Sequence, residues 1–193
     1  MKKAFLLVRI LGVLLLSLGL GALLVQQLLI HRSAQARAEI SEQIQQLLPE
    51  GSMGTTADYS AAEMPVLQIG GTDYVCLLEV PSMGLCLPIQ NQWKSGILTT
   101  QPGRFWGSIY DGSLILGGGN QAGQFDFCTM LDIGDPLLLT DMQGTQFRCS
   151  VENIQRSSAA DFETLSDGAY PLTLFVQEKY DGRYIIVRCD WAY

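Results

Sequence analysis

The sequence predicts a mainly β fold, either a sandwich or a closed barrel of seven or so strands, behind an N-terminal transmembrane helix. The strands are predicted because residues 67–193 consist of short apolar or alternating runs separated by Gly, Asp and Asn. Little of that region has helical periodicity, and many strands with few helices favour these two architectures. The transmembrane helix is predicted because 21 residues without a charge follow Arg9.

The uncharged run is Ile10–Ile30, between Arg9 and His31. About 20 apolar residues that each rise 1.5 Å span a bilayer core of roughly 30 Å. Three basic residues precede the run and two follow it, so the positive-inside rule places residues 1–9 in the cytoplasm and the body outside the cell. The sequence thus predicts a single-pass cell-membrane protein. A cleaved signal peptide is the alternative, with Ala34-Gln35-Ala36 as its cleavage site, but the run exceeds the usual length of about 7–15 residues.

Residues 31–66 are predicted to form a juxtamembrane helix and a linker. Helix formers fill Ser33–Leu48, and Ile40, Ile44, Leu47 and Leu48 fall on one helical face. That face either packs on the body as a stalk or mediates self-association. Residues 49–66 are rich in Gly, Ser, Thr and Ala, which is typical of a flexible tether.

The body, residues 67–193, is long enough for one hydrophobic core. A hairpin turn is predicted at Asp141–Gly144, and short helices at Asp126–Leu131 and Ala159–Leu165. The predicted strands are Tyr74–Val80, Leu85–Ile89, Ser113–Leu116, Leu137–Thr140, Gln146–Asn153, Leu172–Val176 and Arg183–Cys189.

Charge and composition exclude several classes of function. The body has 7 basic and 14 acidic residues, which argues against nucleic-acid binding. The five cysteines have no C-x-x-C spacing and the only histidine is His31, so no metal site is predicted. Cys76 and Cys86 either form a bridge or are buried thiols like the rest. Gly117–Gly119 lacks the phosphate-loop pattern and is interpreted as a turn at a strand end, and no cofactor is predicted.

Eight segments between residues 74 and 190 follow one another in the order of a known family's motifs. They are Tyr74–Pro81, Gly84–Ile89, Trp93 with Leu98, Pro102–Ser108, Phe125 with Leu131 and Gly134-Asp135, Thr140–Thr145, Leu172–Phe175 and Val187–Cys189. Together they resemble the sortases, the cysteine transpeptidases of Gram-positive cell surfaces, and among these the class B-like sortases of the Firmicutes. The resemblance implies a closed sortase-like β-barrel of about eight strands with short helices, behind a membrane helix.

The resemblance also implies a chemistry. A cysteine thiolate attacks a sorting-signal peptide, a histidine moves the proton, and an arginine steadies the oxyanion. At the matching positions this sequence has Gly119 in place of the histidine and Gln177 in place of the cysteine. The arginine position matches Arg183, with Arg188 as the weaker alternative.

The expected function is therefore that of a catalytically inactive sortase-like domain. Its groove, with Asn120, Phe125, Thr173 and Phe175 as candidate lining residues, would bind an extended peptide, a surface protein or an active sortase. One alternative is an active transpeptidase with relocated catalytic groups, such as a nucleophile at Cys128 or Cys189. The other is a structural spacer or assembly module, and a groove filled by Phe175 or Trp106 would favour it.

Overall fold

The computed structural model describes the backbone of residues 2–49, 52–53, 63–94, 101–179 and 181–192. Side chains are described for the same residues except 2–11, 13, 26–34 and 52–53. The chain divides into two compact units, residues 1–36 and 37–193.

A long helix, α1 (Lys2–Leu47), begins the chain and includes the predicted membrane span and the predicted juxtamembrane helix. Over 14–25 its large apolar side chains are exposed. Among the residues described, no helical stretch combines the length and the apolar composition needed to cross a membrane. The side chains of residues 10–11, 13 and 26–30 lie outside the described set, so the membrane span stays a prediction.

Ten strands and one further α-helix follow α1 in the described residues. The helix is α2 (Phe162–Ser166), and two short 3₁₀ helices cover Pro81–Met83 and Phe125–Thr129. The strands are β1 (Ser52–Met53), β2 (Leu67–Ile69), β3 (Thr72–Val80), β4 (Leu85–Gln90), β5 (Gly103–Trp106), β6 (Leu114–Gly118), β7 (Pro136–Asp141), β8 (Thr145–Ser157), β9 (Leu172–Gln177) and β10 (Tyr184–Trp191).

Strands β3–β10 close into a barrel. Their order is β8-β10-β9-β6-β5-β4-β3, and β7 completes the circle by pairing with both β3 and β8. The mainly β, closed eight-stranded barrel with short helices is therefore confirmed. All seven predicted strands are present with ends shifted by a few residues, whereas β1, β2 and β5 were not predicted.

Alternation along the strands separates an interior from an outer face. On β9, Leu172, Leu174 and Val176 belong to the main core inside the barrel, whereas Phe175 packs in a separate cluster on the outer face. Because successive side chains of a strand point to opposite sides, Thr173 and Gln177 share the outer face with Phe175. Burial of the interior set supplies most of the hydrophobic stabilisation of the barrel.

The last turns of α1 pack on the barrel, as the stalk interpretation predicted. Ile44 is fully buried against Tyr74 and Leu77, and Ile40 and Leu48 complete this cluster. A hydrogen bond from the Ser41 hydroxyl to the Cys86 carbonyl (3.2 Å) fixes the helix along β4.

The predicted linker is partly ordered, which corrects the expectation of a flexible tether over 49–66. Ser52–Met53 pairs in parallel with the start of β8. Met64 is buried in the main core, so its side chain contributes to the hydrophobic stabilisation of the barrel. The rest of the predicted tether includes residues 50–51 and 54–62, which lie outside the described residues.

Candidate functional site

The three positions that the sequence assigns to the family's catalytic groups lie at neighbouring strand ends. Strands β6 and β9 are parallel with Gly118 opposite Val176, so Gly119 and Gln177 follow side by side. Strand β10 is antiparallel to β9, and the Glu178 amide donates to the Arg183 carbonyl at 2.7 Å. The fold thus brings Gly119, Gln177 and Arg183 to one edge of the barrel.

Gln177 is exposed, and its side-chain amide donates to the Gly182 carbonyl at 3.1 Å. This bond holds Gln177 to the turn between β9 and β10. The amide nitrogen has a delocalised lone pair, so it is a donor and not a nucleophile. Gly119 has no side chain, and its carbonyl accepts the Phe125 amide at 3.1 Å. Neither position offers a group that attacks a carbonyl or moves a proton.

Arg183 is held by carboxylates at the surface. Its side chain is 54% exposed, its guanidinium bonds to Asp181 at 2.6 Å, and Glu178 lies 3.9 Å away. The Arg183 backbone amide and guanidinium together hold the pKa of the Asp181 carboxyl below its ordinary value. An inward-facing Arg183 would offer a positive charge to a ligand carbonyl, but here that charge is paired at the surface.

Arg188 is the buried arginine of this region. It lies on the outer face of β10 beneath the segment 158–171, and its guanidinium donates to the Thr164 carbonyl at 2.9 Å. Asp167 is 3.8 Å away, and the guanidinium carbon lies 5.7 Å from the centre of the Tyr170 ring. Arg188 therefore fastens the segment 158–171 to the barrel.

The candidate groove residues are placed differently from one another. Asn120 is half-buried in the loop after β6. Phe125 lies inside the barrel against Phe127, so it lines no groove on the outer face, which corrects that expectation. Thr173 and Phe175 are on the outer face but buried.

Phe175 is covered by two other aromatic side chains. Its ring centre lies 5.1 Å from that of Trp93 and 5.4 Å from that of Phe105, both in edge-to-face geometry, and Phe175 is only 2% exposed. Edge-to-face pairs at these distances stabilise each other beyond the area they bury. The outer face between β6 and β9 is thus filled by side chains of the protein itself.

Close packing explains two of the three consecutive glycines. A Cβ on Gly117 would lie 2.6 Å from the Phe175 ring, and a Cβ on Gly118 would overlap the Phe125 ring. Both glycines lie within β6, so the interpretation of this run as a turn is wrong for them. They are required because an aromatic ring lies directly over the backbone on each face of β6.

The five cysteines are all free thiols. Cys86 lies opposite Glu79 and Cys76 opposite Ile89, so the possible Cys76–Cys86 bridge is absent. Burial raises the pKa of the Cys128 and Cys189 thiols well above their ordinary values. Within the described ranges, no three His, Cys, Asp or Glu side chains are grouped to hold a metal ion.

Sequence reasoning did not predict that Trp93 and Phe105 cover Phe175, or that Arg188 is buried. Phe105 lies on β5, which pairs with β4 at a single position and carries a bulge beside β6. A four-residue strand of this kind has no clear alternation, so neither its existence nor its outward side chains were predicted. The burial of Arg188 could have been predicted from the alternation of β10. Arg188 is two residues from Ile186, so both side chains lie on the same, outer face of the strand, where Ile186 is buried.

Comparison with solved structures identifies the fold. A Clostridium perfringens sortase D5 transpeptidase matches with a TM-score of 0.52 at 17% identity, covering 63% of this chain and 80% of that chain. Sortase A from Corynebacterium diphtheriae matches with a TM-score of 0.53 at 18% identity, covering 85% and 84% of the two chains. Sortase C1 from Streptococcus agalactiae matches with a TM-score of 0.52 at 19% identity, covering 84% and 90%.

No family model and no curated protein matches the sequence. At these identities the structural likeness shows the sortase fold, as the motif resemblance predicted. A shared fold hosts different functions, so function has to be argued from the site.

Proposed function

We propose that this chain is a membrane-anchored domain of sortase fold at the cell surface that binds a partner and performs no transpeptidation. The observation that carries the proposal is the strand-end cluster of Gly119, Gln177 and Arg183. It lies where three neighbouring strands of the barrel end, and its only charged side chain is paired with Asp181. We also propose, from the motif resemblance, that among sortases the chain is most similar to the class B-like group.

Transpeptidation of the sortase kind requires a thiolate and a proton carrier at this edge. Loss of either member of such a pair costs orders of magnitude in rate, because the two groups act as a unit. With Gly119 and Gln177 at these positions both functions are missing, and His31 is the only histidine of the chain. An acyl-enzyme intermediate has no group on which to form here.

The alternative of a relocated nucleophile is disfavoured by the state of the thiols. A cysteine attacks as its thiolate, and a catalytic cysteine has a lowered pKa from a neighbouring cation, an imidazolium or a helix N-terminus. Burial instead raises the pKa of Cys149 to about 12 and of Cys86 to about 11. The pKa of each of the other three cysteines is also raised, chiefly by burial.

A second candidate, a structural spacer, is supported by the aromatic cover. A groove that held an extended peptide over β6 and β9 would need room where Trp93, Phe105 and Phe175 pack together. The proposed binding function therefore involves a partner that docks on the outside of this cover. A spacer would bind nothing there.

The turnover assay uses the full-length chain in non-ionic detergent micelles. Sorting-signal peptides are incubated with an amine acceptor, and products are identified by mass spectrometry with an active sortase as positive control. We expect no acyl transfer above the peptide-only background. Turnover that disappears after alkylation of one cysteine would overturn the proposal and establish a relocated active site.

A further inference from the structure

Two aromatic side chains are exposed together on the outer face of the barrel. Trp106, at the end of β5, is 57% exposed, and Phe162, at the start of α2, is 48% exposed. Their ring centres lie 5.1 Å apart in edge-to-face geometry. Single exposed apolar side chains are ordinary, but contiguous exposed aromatics are typical of a surface that meets another molecule.

The segment that carries Phe162 is acidic. Residues 158–171 include Asp161, Glu163 and Asp167 and no Lys or Arg, and all three carboxylates are exposed. The Asp161 carboxylate accepts the Thr164 amide at 2.8 Å, which fixes it beside Phe162 at the start of α2. That hydrogen bond also lowers the pKa of Asp161, so the carboxyl stays ionised in mildly acidic solution.

The basic side chain that contacts this segment lies on its inner side. Arg188 is buried, and it reaches the Thr164 carbonyl and approaches Asp167 from below. Its charge stabilises the attachment of the segment to the barrel and is withdrawn from the solvent side. The surface that faces outward therefore combines open aromatic rings with negative charge.

We propose that Trp106, Phe162, Asp161, Glu163 and Asp167 form an acidic aromatic surface that docks a cationic peptide segment of a partner protein. A Lys or Arg side chain gains a cation–π contact over an open Trp face, and the exposed carboxylates of the segment that carries Phe162 complement its charge. An acidic segment would be repelled, and an apolar segment would leave the carboxylates uncompensated. This inference rests on the proposed partner-binding function and names the chemistry of the partner.

The test titrates the full-length chain, in non-ionic detergent micelles at low salt, into fluorescently labelled ten-residue peptides. One peptide alternates Lys and Ala and the other alternates Glu and Ala, and binding is read from fluorescence anisotropy with empty micelles as blank. We expect binding of the Lys peptide only, and weakening as salt rises because exposed charges are screened.

Single substitutions test whether the Lys peptide binds at the acidic aromatic surface. Trp106→Ala is expected to weaken binding of the Lys peptide about fivefold, the equivalent of one exposed cation–π contact. Glu163→Gln is expected to weaken it about twofold at low salt and less at high salt. Ile133→Ala and Glu152→Gln are matched controls, since they remove an exposed apolar side chain and an exposed carboxylate elsewhere, and both are expected to bind like the parent chain.

Three outcomes overturn the docking surface: no binding of the Lys peptide, equal binding of the Glu peptide, or unchanged binding in a Trp106→Ala chain whose circular dichroism shows a native fold. None of these bears on catalysis, which the turnover assay decides separately. Turnover of a sorting-signal peptide would overturn the proposal that the chain performs no transpeptidation. If the chain neither turns over peptides nor binds the Lys peptide, the structural spacer becomes the better explanation.

Discussion

Cys86 gives the most quantitative test of the electrostatic reasoning about the thiols. It is the one half-exposed cysteine, lying on β4 under the last turns of α1, where the Gln45 amide approaches its sulfur at 3.6 Å. Burial, and next the charge of Glu79 opposite it on β3, raise the pKa of the thiol from 9.0 to about 11. Cys86 should therefore be almost entirely protonated at neutral pH and react slowly, through its small thiolate fraction.

The expected rate follows from the pKa. At pH 8 a rise from 9.0 to about 11 lowers the thiolate fraction about 100-fold relative to an ordinary thiol. A more basic thiolate is intrinsically the better nucleophile, and a Brønsted slope of about 0.4–0.5 recovers about tenfold of that loss. We expect alkylation about tenfold slower than that of a free cysteine derivative, and slower still where packing blocks approach of the reagent.

The dependence of the alkylation rate on pH shows whether the pKa of Cys86 is raised or lowered. Because the pKa of Cys86 is raised, its alkylation rate should climb about tenfold per pH unit to near pH 11, whereas a free thiol levels near pH 9. Glu79→Gln removes one cause of the increase and should shift the profile to lower pH, with Glu152→Gln as the charge-matched control. The assay is iodoacetamide labelling of the folded full-length chain, with each cysteine followed by peptide mapping.

A Cys86 profile that levels at or below pH 9 would refute the reasoning. Fast labelling at neutral pH of any of the four buried cysteines would also refute it. Such a thiol would have a stabilised thiolate, and the relocated active site would become the better explanation.

Three further predictions concern the barrel edge. Gly118→Ala should lower the free energy of unfolding by about 3 kcal/mol, measured by urea denaturation, because its Cβ would overlap the fully buried Phe125 ring. Gln177→Cys, at an exposed position, should change the same quantity by less than about 0.5 kcal/mol. Arg37→Ala should speed hydrogen exchange of the amides over 119–124 about tenfold, because it removes the partly buried hydrogen bond from the Arg37 guanidinium to the Ala122 carbonyl (3.3 Å).

The barrel was predictable because its main strands carry strong local signals. Alternation in β8 and the apolar runs of β9 and β10 predict strands, and the turn at Asp141–Gly144 fixes one hairpin. Asp141 accepts the amides of Gln143 and Thr145 there, each at 2.8 Å, which is the local bond expected of Asp in a turn. The closed barrel followed from the motif resemblance, whereas the order of the strands was not predicted, since local periodicity says nothing about which strands pair.

The state of the candidate site was less predictable, because it depends on contacts between distant segments. The positions of Gly119, Gln177 and Arg183 could be assigned by counting from motifs, and they do lie together. Counting cannot reveal that Asp181 pairs with Arg183, or that Phe105 and Phe175 meet across the outer face. Both depend on side-chain directions that appear only once the barrel closes.

The contrast between neighbouring positions of this edge shows which of them the packing of the barrel constrains. Gly117 and Gly118 are constrained on both faces of β6 by Phe175 and Phe125, so almost any side chain there disrupts packing. Gln177 is exposed and its side chain bonds to a turn carbonyl, so the barrel makes little demand on its identity. Stability therefore maintains the glycines under the rings, whereas it places little constraint on the residue at position 177.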